Sequence, residues 1–121
     1  MEHKTSSASR PVMLNDGTRL LRINPSNIAY IQADRVYCHI YMIDGKTDYT
    51  ISHPMGEIEK HLPTDTFVRI HRSFIINIWM VKMIIGRLVT LTNGLQFTVG
   101  EQYLHSLDDC FIIFGQPRPK D

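Results

Sequence analysis

Residues 67–77 read Phe67-Val-Arg-Ile-His-Arg-Ser-Phe-Ile-Ile-Asn77. Two short apolar runs, 67–70 and 73–76, lie on either side of a polar His71-Arg72 step. Their β-branched and aromatic content suits extended backbone. The segment predicts two short strands joined by an exposed turn that carries Arg72, with Asn77 closing the second run.

Toward the C-terminus the pattern repeats. Ile78 to Ile85 and Leu88 to Thr92 read as strands around Gly86-Arg87. Asn93-Gly94 is the strongest hairpin signal in the chain, because both residues tolerate positive φ, and Leu95 to Val99 follow it. A helix is predicted from Glu101 to about Asp109, with Tyr103, Leu104 and Leu107 on its apolar side. Phe111 to Phe114 are apolar enough to pack back as a final strand or extension.

Toward the N-terminus, Pro11 to Leu14 and Thr18 to Ile23 flank Asn15-Asp16-Gly17, a second hairpin signal. Asn24 to Asn27 form a turn, and Ile28 to Ala33 a strand. Asp34-Arg35 links this to a longer strand, Val36 to Ile43. There Tyr37, His39 and Tyr41 share one face, and Val36, Cys38, Ile40 and Met42 the other. Asp44-Gly45 turns the chain into Lys46 to Ser52. A helix follows over Pro54 to His61, with Pro54 suited to its first position, Ser52 near its cap, and Met55, Ile58 and Leu62 as an apolar stripe. The sum is a mainly β fold: antiparallel sheets of short strands with two short helices packed at the side.

The chain has 121 residues, one domain by length. Residues 1–9 read as a disordered lead-in or linker stump, 10–114 as the domain, and 115–121 as a flexible tail, since Pro117 and Pro119 oppose regular structure. Two cysteines are too few for a disulfide framework or a four-ligand zinc site. No apolar run reaches the roughly twenty residues of a membrane span, and the start lacks the apolar core of a signal peptide. A reduced, cytoplasmic setting is expected.

Six histidines invite a metal or catalytic reading. They show no HxH, HExxH or paired spacing with cysteine. There is no GxSxG, no Walker loop and no dinucleotide fingerprint. Neither a catalytic residue, a metal site nor a cofactor is predicted, and the chain does not read as an enzyme. Cys38, alternating along a strand, reads as core.

Thirteen Lys and Arg against twelve Asp and Glu give a formal charge of +1, so bulk charge does not identify a nucleic-acid binder. The distribution says more. From Thr66 to Gly100 there is no Asp or Glu, while Arg69, Arg72, Lys82 and Arg87 fall inside. Such segregation gives one part of the fold a positive potential. The plainer reading is that apolar strands leave little room for acids.

The 67–77 segment, F-x-R-x-H-R-S-F followed by two aliphatics and Asn, resembles the signature of the LytTR family of DNA-binding domains. Ile28 to Ala33 before a Tyr-bearing strand, Leu88 to Gly94, and Thr98-Val-Gly-Glu-Gln-Tyr103 match further landmarks, so the resemblance covers about residues 11–110. It implies a sequence-specific binder of double-stranded DNA acting in bacterial transcription regulation, the output domain of a response regulator. Loops at the sheet edge would enter the major groove, without a recognition helix. Two protomers on paired short repeats, and a receiver or sensor partner, are implied as well.

Three loops map onto this chain by that resemblance. The first, Asp34 to His39, offers Arg35, Tyr37 and His39. The second offers His71, Arg72 and Ser73, with Arg69 before and Asn77 after. The third is Gly100-Glu101-Gln102. Arg35 and Arg72 suit forked bonds to guanine or a phosphate clamp. Ser73 suits phosphate. Asn77 either contacts phosphate or, more plainly, fixes a turn; His71 either touches DNA or braces its loop. Many family members carry Ser-Arg where this chain has Gly100-Glu101. Glu101 either accepts from cytosine or points away and favours the helix start, leaving Gln102 for contact. Val36 and Cys38 also stand where small polar residues are common. A second reading of the whole chain is a protein-interaction module on the same scaffold, with DNA binding lost or partner-dependent.

Overall fold

The computed structural model describes residues 10–115. The expected lead-in, and all of the expected tail except Gly115, lie outside them. Ten strands follow in order: β1 (Val12–Asn15), β2 (Leu20–Ile23), β3 (Ile28–Asp34), β4 (Tyr37–Met42), β5 (Asp48–Ile51), β6 (Phe67–His71), β7 (Phe74–Asn77), β8 (Val81–Ile85), β9 (Leu88–Leu91) and β10 (Gln96–Thr98). Helix α1 (Met55–Glu59) precedes β6, and α2 (Leu104–Asp108) follows β10.

All pairing is antiparallel. A central five-stranded sheet runs β5-β4-β3-β7-β6, a second sheet runs β10-β9-β8, and β1-β2 stands as a hairpin. The expected fold class is the observed one.

Side-chain alternation divides the core between the two faces of the central sheet. Adjacent Ile75 and Ile76 point to opposite faces, both fully buried. On one face Ile31, Ile40, Phe67 and Ile75 pack with Leu14 and Ile23 of the hairpin and with Met55 and Leu62 of the α1 region. On the other, Ile70 and Ile76 pack with Val89, Leu91, Val99 and Leu107, bringing in the three-stranded sheet and α2.

Four local expectations are corrected. The strand expected from Ile78 begins only at Val81, because the Asn77 side chain accepts from the Trp79 amide at 2.9 Å and caps a 3-10 turn over Ile78–Met80. Pro54 is the N-cap of α1 and not its first helical residue, and no side chain caps that end. The last helix opens as a 3-10 turn, Glu101–Tyr103, before α2. Phe111 packs on the second core, but Ile112 and Phe114 are 88% and 93% exposed and form no strand. No helix among the described residues is long and apolar enough to cross a membrane.

Candidate nucleic-acid interface

Antiparallel order places two hairpin turns at the same end of the central sheet. β3 pairs with both β4 and β7, so the β3–β4 turn and the β6–β7 turn are neighbours. The first turn consists of Arg35 and Val36, since Asp34 pairs with Tyr37. Arg35 has φ +60, and no other non-glycine described residue has positive φ. A two-residue hairpin requires that conformation, which most side chains avoid. Arg35 and Val36 are both exposed at the tip.

Backbone hydrogen bonds tie the loops together. The Ala33 amide donates to the Ser73 carbonyl at 2.9 Å, joining the first loop to the second. The Gly100 amide donates to the Ile70 carbonyl at 2.8 Å, joining the third loop to the end of β6. The Val99 amide donates to the Arg87 carbonyl at 2.7 Å, which brings the Gly86-Arg87 turn to the third loop as well. Four segments distant in sequence thus share one end of the fold.

The second loop is held from inside. Arg69 donates from Nε to the His71 carbonyl at 3.1 Å and from a terminal nitrogen to the Arg72 carbonyl. Its other terminal nitrogen meets Glu59 of α1 at 2.8 Å. His71 Nδ1 accepts from the Ser73 amide at 3.1 Å, which makes the ring a brace of its own turn. The His71 ring also leans on Phe74, the start of an aromatic row through Phe97 and Tyr30 to Tyr41. Tyr30 stacks on Tyr41 with centroids 4.5 Å apart.

The expected site residues therefore separate into two groups. Arg35, Tyr37, Arg72, Glu101 and Gln102 are exposed, and Ser73 is half-buried beside Arg72. The side chains of Arg35, Arg72 and Arg87 have no ion pair or hydrogen bond among the described residues. Arg69 and His71 are committed to the turn. His39 is held between Thr50 at 2.9 Å and Asp34 at 3.2 Å. Asn77 is withdrawn from any contact surface: it is 2% exposed, and its amide donates to the Ile28 carbonyl at 2.9 Å. The expectation of DNA contact there gives way to the structural role. It also stands apart from the β6–β7 turn, at the opposite end of β7, where it pairs with Phe67.

Glu59 and the backbone links through Ala33, Ile70 and Val99 have no signature in the sequence, because each joins elements that only packing brings together. Cys38 is buried and donates to the His53 carbonyl, with burial pushing its thiol pKa up, as fits an inert core residue. Among the described residues no group of three or more His, Cys, Asp or Glu is placed to hold a metal ion.

Residues 18–111 match the family described as the LytTr DNA-binding domain. The sensory transduction protein LytT of Bacillus subtilis is 28% identical over 83 residues, covering 69% of this chain and 34% of that protein. The transcriptional regulatory protein LytR of Staphylococcus aureus (strain N315) is 32% identical over 101 residues, covering 79% of this chain and 39% of that protein. The chain thus spans little more than a third of either relative. A solved LytTr DNA-binding domain from Bacillus cereus superposes with a TM-score of 0.69 at 24% identity, covering 88% of this chain and 97% of that one, a likeness of fold. With the family matched over most of its length and its loops gathered at one sheet end, this chain belongs to the LytTR family of DNA-binding domains.

Proposed function

We propose that this chain binds double-stranded DNA sequence-specifically through the three joined loops and serves in transcription regulation, as the names of its relatives suggest. The observation that carries the reading is the gathering of unpartnered Arg35, Arg72 and Arg87 around one rigid end of the sheet.

Arg72 sits on a turn whose two carbonyls are already occupied by Arg69, so its guanidinium is presented on a fixed base. A planar fork there suits guanine N7 and O6 in the major groove. Arg35 leaves its turn at positive φ beside it, and Val36 offers an apolar tip that suits a thymine methyl. Arg87 and Lys82 suit phosphate contacts, which position without reading sequence. Gln102 and Glu101 supply the third loop. Two protomers occupy paired short repeats, and a receiver or sensor partner controls them.

The test is selection of duplexes from a random pool by the purified chain, followed by fluorescence-anisotropy titration across salt against a scrambled control. Enrichment of a short motif, with affinity falling as salt rises, is the expected result. Binding to no duplex at low salt would sink the reading and favour the protein-interaction module.

A further inference from the structure

A backbone amide only donates, so the bond from the Ser73 amide to His71 Nδ1 at 3.1 Å fixes the state of that ring. Nδ1 carries no proton there, and the neutral imidazole holds its one ring hydrogen on Nε2. The two nitrogens lie on different sides of the ring. With Nδ1 turned to the loop backbone, the Nε2–H is directed away from it. Among the described residues Nε2 has no hydrogen-bond partner.

His39, the other histidine of the three loops, keeps no such donor. Its Nε2 meets the Asp34 carboxylate at 3.2 Å and its Nδ1 meets the Thr50 hydroxyl at 2.9 Å. A carboxylate only accepts, so the Nε2 proton of His39 is already spent on Asp34.

The free donor of His71 stands on a stiff mount. The β6–β7 register shifts between Arg69 and His71, an irregularity of the kind that re-aims a side chain at a strand end. The Ile70 carbonyl at that shift is held by the Gly100 amide at 2.8 Å, and the His71 carbonyl by Arg69 Nε at 3.1 Å. The half-buried ring leans on Phe74 with centroids 5.7 Å apart. A ring already fixed on these sides loses little freedom when its remaining nitrogen finds a partner. Exposed Arg72 is the next residue along the same turn.

We propose that His71 is a specificity residue of the DNA interface, building the turn through Nδ1 and donating from Nε2–H to a purine N7 in the major groove. This rests on the DNA reading above. The neutral ring adds no charge, so it has less to gain from a phosphate than the arginines around it. On a base edge it offers one donor and no free acceptor. It therefore meets N7, which guanine and adenine share, and is not matched by the amino groups of adenine or cytosine. The position it reads is purine, next to the guanine read by the fork of Arg72.

The test uses His71→Asn, whose side-chain oxygen replaces the Nδ1 acceptor while the Nε2 donor is lost. The selected duplex is made with a 7-deazapurine at each purine in turn and titrated by anisotropy at mildly alkaline pH, where the imidazole is neutral. One position is expected at which the replacement weakens the unaltered chain about three- to tenfold and leaves His71→Asn indifferent, with an unchanged salt slope. Arg72→Ala should remain sensitive at that position, which separates the two side chains. A second measurement needs no variant: ring-nitrogen NMR of the unaltered chain should place the proton on Nε2 and show that resonance moving when the duplex is added. A proton on Nδ1, or a duplex bound with no purine position depending on His71, would overturn the proposal. A salt slope lowered in His71→Asn would overturn it in favour of a phosphate contact. Binding to no duplex at all would remove the DNA reading itself, a result distinct from binding that is indifferent to His71.

Discussion

The guanidinium of Arg69 donates to the carbonyl of Arg72, so one arginine builds the turn from which the other is presented. The two cations sit three residues apart and look equivalent in the sequence, yet only Arg72 is exposed and unpartnered. Arg69→Ala is therefore expected to act through the fold. It frees two loop carbonyls and leaves Glu59 without its partner, at a cost of about 1–3 kcal/mol in a denaturant melt. DNA affinity should drop with no change in the slope of log affinity against log salt, because no phosphate contact is lost. A slope reduced by about 0.9 in that variant would place Arg69 on a phosphate instead.

Arg72→Ala is expected to leave the melting midpoint nearly unchanged, since the exposed side chain makes no hydrogen bond or ion pair among the described residues. If the fork reads a guanine, the loss is about 1–3 kcal/mol, confined to one position of the selected motif. Anisotropy on a panel of single-base variants separates the outcomes. Uniform weakening across the panel would mark a phosphate contact.

Asn77 gives the opposite pattern. Its side chain is buried, its amide donating to the Ile28 carbonyl in a buried bond and its oxygen accepting from the Trp79 amide in a partly buried one. Asn77→Ala should destabilise by about 2–3 kcal/mol, through buried groups left unpaired. The affinity of the folded fraction for DNA should not move. Urea titration with anisotropy below the transition checks both halves.

How much of this was legible follows from where the determinants lie. Turns set by local chemistry read correctly: Asn15-Asp16-Gly17, Asp44-Gly45 and Asn93-Gly94 all turn where positive φ or a short polar side chain demands it. The bracing of Arg69 by Glu59 was not readable, because they lie ten residues apart on two different elements and only the packing of α1 against β6 brings them together. Ile78 to Met80 have strand-like composition, but one hydrogen bond from the Trp79 amide to the Asn77 side chain outweighs that preference. Ile112 to Phe114 were expected to be covered because they are apolar. Pattern reports what would gain from burial, and not whether the chain itself provides the partner.

Among the described residues, the N-terminal hairpin holds the carboxyl group whose pKa its neighbours lower most strongly. The Asp16 carboxylate accepts from the Arg19 side chain, then from Thr18, and these bonds hold its pKa well below the usual carboxylate range. Asp44 is lowered in the same direction, chiefly by the Thr47 hydroxyl and amide. A depressed folded-state pKa means that the contribution is complete above the ordinary carboxylate pKa. It is lost as pH falls toward the folded value. Carboxyl carbon shifts followed by NMR should therefore show Asp16 titrating below an ordinary aspartate, and Arg19→Gln should move its midpoint upward. An ordinary midpoint in the unaltered chain would refute the assignment.

Glu101 tests which way the third loop faces. Gly100 is fixed by the hydrogen bond from its amide to the Ile70 carbonyl, and Glu101 follows it exposed. A carboxylate beside DNA repels phosphate, so Glu101→Arg should raise non-specific affinity and steepen the salt slope by up to about 0.9–1.8, the effect of removing one repulsion and adding one contact. Gly100→Ser provides the steric control: its Cβ would lie 3.0 Å from Tyr103 Cδ2, so the ring must give by a few tenths of an ångström while the backbone, at φ −63, accepts the side chain. If Glu101→Arg changes neither affinity nor slope on any duplex while Arg72→Ala lowers affinity, the third loop points away from DNA. The proposed interface would then shrink to the two hairpin turns and Arg87.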